Sequence, residues 1–339
     1  MDRLELRLLG KEKFGRFCRM CPICDGKACF GEIPGMGGVG SGASFQNNIT
    51  DLKKVLLRQR IIHDVSEPST SFELWGHQMN LPVLAAPIAG IAFNLNGFTT
   101  DAEFAEAIVV GARNGGGMGM TGDGKDRSIY PSGLQAISMA QGWGIPTIKP
   151  RPNEEIIALA EQAYTSGVAA IAIDVDAAAL INITVSGQPV GPKTYSDLVE
   201  LKRNIKVPLI IKGIMEVEDA ETCADAGIDG IVVSNHGGRV LDHTPGTARV
   251  LPAIAAKVGG DKMKIFVDGG VRSGVDVLKM LALGADAVLM GRPMAQAVAG
   301  GASGVAWYFQ FIQAQLEAAM IMTGCLNIDE ITSDIIYGA

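Results

Sequence analysis

The chain has 339 residues, 47% hydrophobic but only 6% aromatic, with 43 glycines and a formal charge of −7. That length admits two domains or one barrel with an extension. The acidic balance, with no basic stripe to neutralise phosphates, excludes nucleic acid as a partner. The opening Met-Asp-Arg-Leu-Glu-Leu-Arg has no apolar signal core. No uninterrupted apolar run reaches the ~20 residues of a membrane helix, so a cytoplasmic protein with no membrane partner is expected.

The first eighty residues precede the regular part of the chain. Four of the six cysteines cluster there, Cys18, Cys21, Cys24 and Cys29, in the spacing C-x2-C-x2-C-x4-C. A disulfide framework is not expected in such a protein. With no histidine nearby, a metal site would be all-thiolate, holding zinc or an iron–sulfur cluster. The alternative is a reduced, ligand-free turn. Cys223 and Cys325 stand alone and suit buried apolar positions. The stretch Gly35 to Gly42 is expected to be a loop, because a phosphate cradle would need a preceding strand. Asn48 to Val65 holds a helix and a connector, set on the side or mouth of whatever follows.

From position 81 onward, short apolar runs alternate with helical periods, the signature of β/α units. Eight strands are predicted: Leu81 to Ile88, Gly116 to Thr121, Pro146 to Pro150, Ala169 to Asp176, Pro208 to Ile214, Gly230 to Ser234, Lys264 to Asp268 and Ala287 to Gly291. Helices are predicted over Thr100 to Asn114, Glu154 to Ser166, Glu216 to Ala226 and Gly274 to Leu283. Eight parallel strands with crossover helices imply a TIM (β/α)8 barrel over 81–339, with 1–80 as an N-terminal extension. Such barrels carry their chemistry at the carboxyl ends of the strands. Thr121, Lys149, Asp174, Asp176, Lys212, His236, Asp268 and Arg292 fall there.

The richest block is Ser234-Asn235-His236-Gly237-Gly238-Arg239-Val240-Leu241-Asp242, followed by Asp268-Gly269-Gly270-Val271-Arg272-Ser273-Gly274 and by Gly291-Arg292. With Arg58 to Ser66, Leu81 to Pro87, Leu316 to Met320 and Thr323-Gly324-Cys325, these residues resemble the FMN-dependent α-hydroxy acid dehydrogenase/oxidase family, which includes glycolate and lactate oxidases. Only Val240 departs from the block, where glutamine is usual. The resemblance implies an FMN cofactor and oxidation of a small L-2-hydroxy acid to the 2-oxo acid.

It also implies roles. His236 is the general base, at the hydroxyl or at the α-carbon, Asp176 stabilises its imidazolium, and Arg239 binds the substrate carboxylate. Lys212 lies by the flavin N1/C2 oxygen, although an ion pair with Asp174 or Asp176 is an alternative reading. Pro87, Ile88, Ala89 and Thr121 line the isoalloxazine ring, and Lys149, Asp174 and Ser234 complete its surroundings. Asp268 faces the ribityl hydroxyls, while Gly270, Arg272, Gly291 and Arg292 take the phosphate through backbone N–H and guanidinium groups. A homo-oligomer, tetramer or octamer, is implied as well.

The pattern departs in three places. No arginine follows Asp176 in Ala177-Ala178-Ala179-Leu180-Ile181-Asn182, where the family usually has a second carboxylate-binding one. The tyrosine usual after the third strand is replaced by Lys149-Pro150-Arg151-Pro152, where Lys149 or Arg151 could take over anion binding or Arg151 could be solvated. The early active-site tyrosine has no match, the cysteine-rich stretch standing in its region. Two further readings compete: a non-redox flavin enzyme resembling type 2 isopentenyl diphosphate isomerase, and a flavoprotein for electron transfer or redox sensing.

Overall fold

The computed structural model describes residues 2–180, 189–260 and 263–338. A hairpin, β1 Phe72–Leu74 and β2 His77–Met79, precedes eight strands: β3 Val83–Ala85, β4 Met118–Thr121, β5 Gly144–Ile148, β6 Ile171–Asp174, β7 Leu209–Ile214, β8 Gly230–Val233, β9 Lys264–Val267 and β10 Ala287–Met290. The eight are parallel and close in chain order, β10 pairing with β3. This is the expected barrel. Nearly every strand residue is buried, because helices cover the outside and side chains fill the inside. Leu84, Met118, Met120, Ile145, Ala172, Ile210, Val232, Phe266 and Leu289 pack the interior.

The four helices expected from periodicity are Asp101–Asn114, Asn153–Tyr164, Val217–Asp225 and Gly274–Ala282. Thr100 starts the first with a capping box, its side chain and that of Glu103 each accepting from the other's backbone N–H. The hairpin lies outside the expected elements. Its turn places Trp75 and Gly76 at φ +46° and +84°, the left-handed pair that a two-residue hairpin favours. Phe72, Leu74 and Met79 join the interior cluster and plug the barrel at the end away from the strand carboxyl termini.

The extension folds over the barrel. Helix Ala43–Lys54 packs against helix Thr247–Val258 and over the turns after β8 and β9. Its Asn48 side chain exchanges hydrogen bonds with Asn235 and accepts from the Thr247 backbone N–H. Close approach here demands glycine: a Cβ on Gly238, at φ +76°, would lie 2.3 Å from the Phe45 nitrogen. Among the described residues no helix is long and apolar enough to cross a membrane.

Gly238→Ala is therefore expected to lower the thermal unfolding midpoint and weaken flavin retention, with strain on the order of 1–3 kcal/mol. Gly260, at φ +92°, is the control, since a Cβ there would meet nothing within 4 Å. Gly260→Ala should leave flavin bound. Equal effects of the two substitutions on flavin retention would contradict the packing account.

Candidate active site

The carboxyl ends of β5 to β8 bury a network of charges. Asp174, at the end of β6, is 2% exposed and accepts hydrogen bonds from Lys149 Nζ at 2.7 Å and Lys212 Nζ at 3.0 Å. His236 Nδ1 lies 2.8 Å from Asp176 Oδ1 and 3.5 Å from Asp174 Oδ1. Burial disfavours the imidazolium, but the Asp174 and Asp176 carboxylates outweigh it and raise the His236 pKa above its ordinary 6.5. Burial also opposes the charge on Asp174, yet His236, Lys149 and Lys212 together hold it well below the carboxylate range. Asp176 moves the other way, raised chiefly by burial, and its Oδ2 has no partner. Lys212 is raised because Asp174, Asp176 and Asp268 overcome its desolvation. The ion-pair reading of Lys212 thus holds for Asp174, and the same ammonium also faces the cavity. Asp174, Asp176 and His236 are the only three metal-ligating side chains, among the described residues, with ligand atoms all within 4.8 Å of one another. The two lysines already balance that charge.

The turn after β8 aims His236. Residues 236, 237 and 238 all have positive φ, +55°, +63° and +76°. A left-handed histidine stores strain that its surroundings must hold. Ser234 Oγ accepts the His236 backbone N–H at 3.0 Å, and Asn235 Oδ1 accepts that of Gly238. Ser234 is therefore a buried support beneath the histidine, and it lies outside the cavity wall.

That wall encloses about 800 Å3 and contains Pro87, Ile88, Ala89, Lys149, Asp174, Lys212, His236, Arg239, Asp268, Gly270, Arg272, Gly291 and Arg292. Thr121 is not part of it. Its Oγ1 would meet a Cβ on Gly133 at 2.7 Å, so it points outward to helix Ile129–Met139, and Gly122 and Asp123 take its place. The reason is strand alternation: Met118 and Met120 fill the interior, so Thr121 faces out.

Arg151 is neither solvated nor an anion site. It is 1% exposed and grips Asp123 through Nε at 3.0 Å and Nη2 at 2.8 Å. Asp268 and Arg272 do not pair with each other: Arg272 donates to Val271 O and to Cys24 Sγ. At Gly270 the chain itself approaches closely on one side, since a Cβ there would lie 2.5 Å from Asn48 O. The Arg272 backbone N–H, expected at a phosphate, donates to Asp276 Oδ2 at 3.0 Å.

The glycine-rich segment is a loop, as expected, and it roofs the cavity. Ile33, Pro34 and Met36 face inward. Its carbonyls are held by the arginines: Arg239 Nη1 donates to Gly35 O and Gly37 O, Arg292 Nε to Met36 O and Arg292 Nη2 to Gly37 O. Arg239 Nη2 donates to Asn94 Oδ1. Three of its five N–H groups are thus engaged and two remain, enough for one bidentate contact. Burial pulls Arg239 down to about 9 and Arg292 to about 10, and both stay cationic at neutral pH. Sequence reasoning missed Asn94 and Thr147, polar residues with no glycine beside them, and Asp123, which Gly122 and Gly124 flank just past the end of β4. Ala177 to Leu180 supply no cation, and Ile181 and Asn182 lie outside the described residues.

Several buried atoms here await a partner: Thr147 Oγ1, Asp268 Oδ1 and Arg272 Nε make no hydrogen bond. A buried polar atom left alone costs about 1–3 kcal/mol. An acceptor and donors of this kind, along a wall of Pro87-Ile88-Ala89 backbone, fit a ribityl chain, a phosphate and a flat ring. The chain matches the FMN-dependent dehydrogenase family over residues 35–186 and 182–338.

The chain belongs to this family. It is 32% identical to an L-lactate dehydrogenase of Xanthomonas campestris pv. campestris (strain 8004), covering 88% of this chain and 90% of that one. An L-lactate oxidase of Nostoc sp. is 31% identical over 88% and 91% of the two chains. A mandelate oxidase variant with 2-hydroxy-phenylacetamide has a TM-score of 0.79 at 29% identity, covering 97% of this chain and 96% of that one. A further mandelate oxidase structure carries an FMN adduct. FMN is the cofactor.

Arg151→Leu is expected to cost about 3–5 kcal/mol of stability, because Asp123 would keep a buried charge without its partner. A urea unfolding midpoint unchanged from the parent protein would contradict that assignment.

Proposed function

We propose that this family member oxidises a small L-2-hydroxy acid to the 2-oxo acid, with His236 as the base and Arg239 holding the carboxylate. The observation that carries the reading is the 2.8 Å contact of Asp176 with His236, which shares the cavity wall with Lys212 and Arg239. A small carboxylate fits the two N–H groups that Arg239 has left, while Ile33, Met36, Phe93 and Leu180 surround an apolar substituent. Orientation by this single arginine replaces the paired arginines usual in such sites.

FMN supplies the two-electron acceptor when bound. Pro87, Ile88, Ala89 and Thr147 would hold its ring, Asp268 its ribityl hydroxyls, and Gly270, Arg272, Gly291 and Arg292 its phosphate. Lys212 offers a fixed positive charge where negative charge gathers during the reaction. His236 Nδ1 is oriented by Asp176, leaving Nε2 to take the substrate proton. The resulting imidazolium is stabilised by the two facing carboxylates, and Asp174 keeps its own charge because Lys149 and Lys212 flank it. The buried setting keeps water from competing for these groups.

Assembly as a tetramer or octamer in the cytoplasm belongs to the same proposal. The exposed apolar side chains Leu56, Ile61, Ile62, Met322 and Tyr337 support it, on segments tied by the Tyr337 N–H to Leu56 O and Arg60 N–H to Met322 O bonds.

His236→Ala should keep bound flavin but slow its single-turnover reduction by about 10²–10⁴-fold; an unchanged rate would sink the role. In the parent protein the base must be neutral, so the reduction rate should rise with pH through a midpoint above 6.5. Asp176→Asn removes a carboxylate that favours the imidazolium, so that midpoint should move down. A midpoint that stays or rises would contradict the pairing. The linkage to stability has the opposite sense: the raised His236 pKa adds stability below its unfolded value, and this is lost as pH rises through the folded one.

A further inference from the structure

The four N-terminal cysteines have no part in the chemistry described so far, yet they sit beside it. All four are half-buried free thiols, unlike the buried Cys223 and Cys325. They lie on the segment that becomes the cavity roof. Glu32 N–H donates to Cys29 O, and a Cβ on Gly37, whose carbonyl both Arg239 and Arg292 hold, would fall 2.1 Å from that same Cys29 oxygen. The sulfurs are themselves hydrogen-bonded from the barrel: Gln296 Nε2 donates to Cys18 Sγ at 3.3 Å, and Arg272 Nη2 to Cys24 Sγ at 3.6 Å. Cations and amides aimed at sulfur are the surroundings that an anionic metal–thiolate centre requires.

A single zinc ion draws its four sulfurs tightly around one point. Here no three of them lie within 4.8 Å of one another. A polynuclear cluster spreads its thiolates wider, and two successive C-x2-C steps are the spacing that bacterial clusters use.

We propose that Cys18, Cys21, Cys24 and Cys29 bind an iron–sulfur cluster at the barrel mouth, which carries electrons from the site, one at a time, to a one-electron carrier protein. The relay rests on the oxidation proposed above. Arg272 both lines the cavity and touches Cys24, so one side chain separates the cofactor wall from the nearest ligand. Oxidising R–CHOH–COO⁻ to R–CO–COO⁻ breaks the α-C–H and O–H bonds, forms the C=O bond, and releases two electrons and two protons. Each electron in turn reduces one ferric ion of the cluster to ferrous and moves on to the carrier before the next follows. The protons pass to solvent.

The test measures iron, acid-labile sulfide, zinc and FMN in full-length protein, purified anaerobically and reconstituted with ferrous iron and sulfide. Iron and sulfide in about a one-to-one ratio are expected. Cys21→Ser should lose both and keep FMN, and anaerobic addition of an oxidisable hydroxy acid should produce the paramagnetic signal of a reduced cluster. FMN-replete protein with neither iron nor sulfide, or with one zinc instead, overturns the cluster. An intact cluster in Cys21→Ser overturns the ligand set, with Cys29→Ser as the second variant if the first does not fold. A cluster that stays oxidised while substrate bleaches the flavin overturns the relay and leaves the hydroxy acid reading in place. A flavin that no hydroxy acid bleaches fails that reading instead, while the metal content still decides the cluster.

Discussion

Asp174 is buried among two lysines and a histidine, and the rest of the site is arranged around keeping that charge paired. A carboxylate taken out of water is tolerated only when its partners come with it. Lys149, Lys212 and His236 arrive from β5, β7 and the turn after β8, so three separate strand ends are fixed by one residue. The ammonium of Lys212 is thereby placed at the cavity wall. The imidazole of His236 is turned toward Asp176, and its strained left-handed backbone is held by Ser234 beneath it.

A second layer of constraint acts on the mouth. The glycines after His236 leave room for helix Ala43–Lys54, and Asn48 of that helix locks against Asn235 and Thr247. The loop before the helix is strapped to Arg239 and Arg292 by its carbonyls. Those arginines hold the roof, and in the proposed function their remaining N–H groups would also meet an anion. Changes in the N-terminal segment should thus be felt in the site even where they touch no substrate.

Much of this is legible in the sequence. Eight apolar runs correspond to eight strands, because a parallel barrel buries both faces of each strand and leaves a continuous hydrophobic signature. His236, Arg239 and Lys212 are legible because glycines beside them mark tight turns at strand ends, and Asp174 because it ends an apolar run. What stays hidden depends on direction rather than composition. Thr121 sits at the right strand end but on the outward face, and one residue of alternation separates it from the cavity. Arg151 reads from sequence as a candidate anion site or a solvated residue, since nothing in its neighbourhood announces that Asp123, 28 residues earlier, folds against it. The occupation of Arg239 and Arg292 by main-chain carbonyls is equally hidden, because carbonyls carry no sequence signal. The hairpin that plugs the barrel escapes notice because three-residue strands are too short to show a period.

The most direct test of the account is the visible spectrum of the anaerobic protein before and after addition of a panel of L-2-hydroxy acids. A flavin spectrum bleached by one or more of these acids is the result the account predicts. A bound flavin that none of them bleaches, in protein whose unfolding behaviour is intact, would contradict the assignment of this cavity to hydroxy acid oxidation.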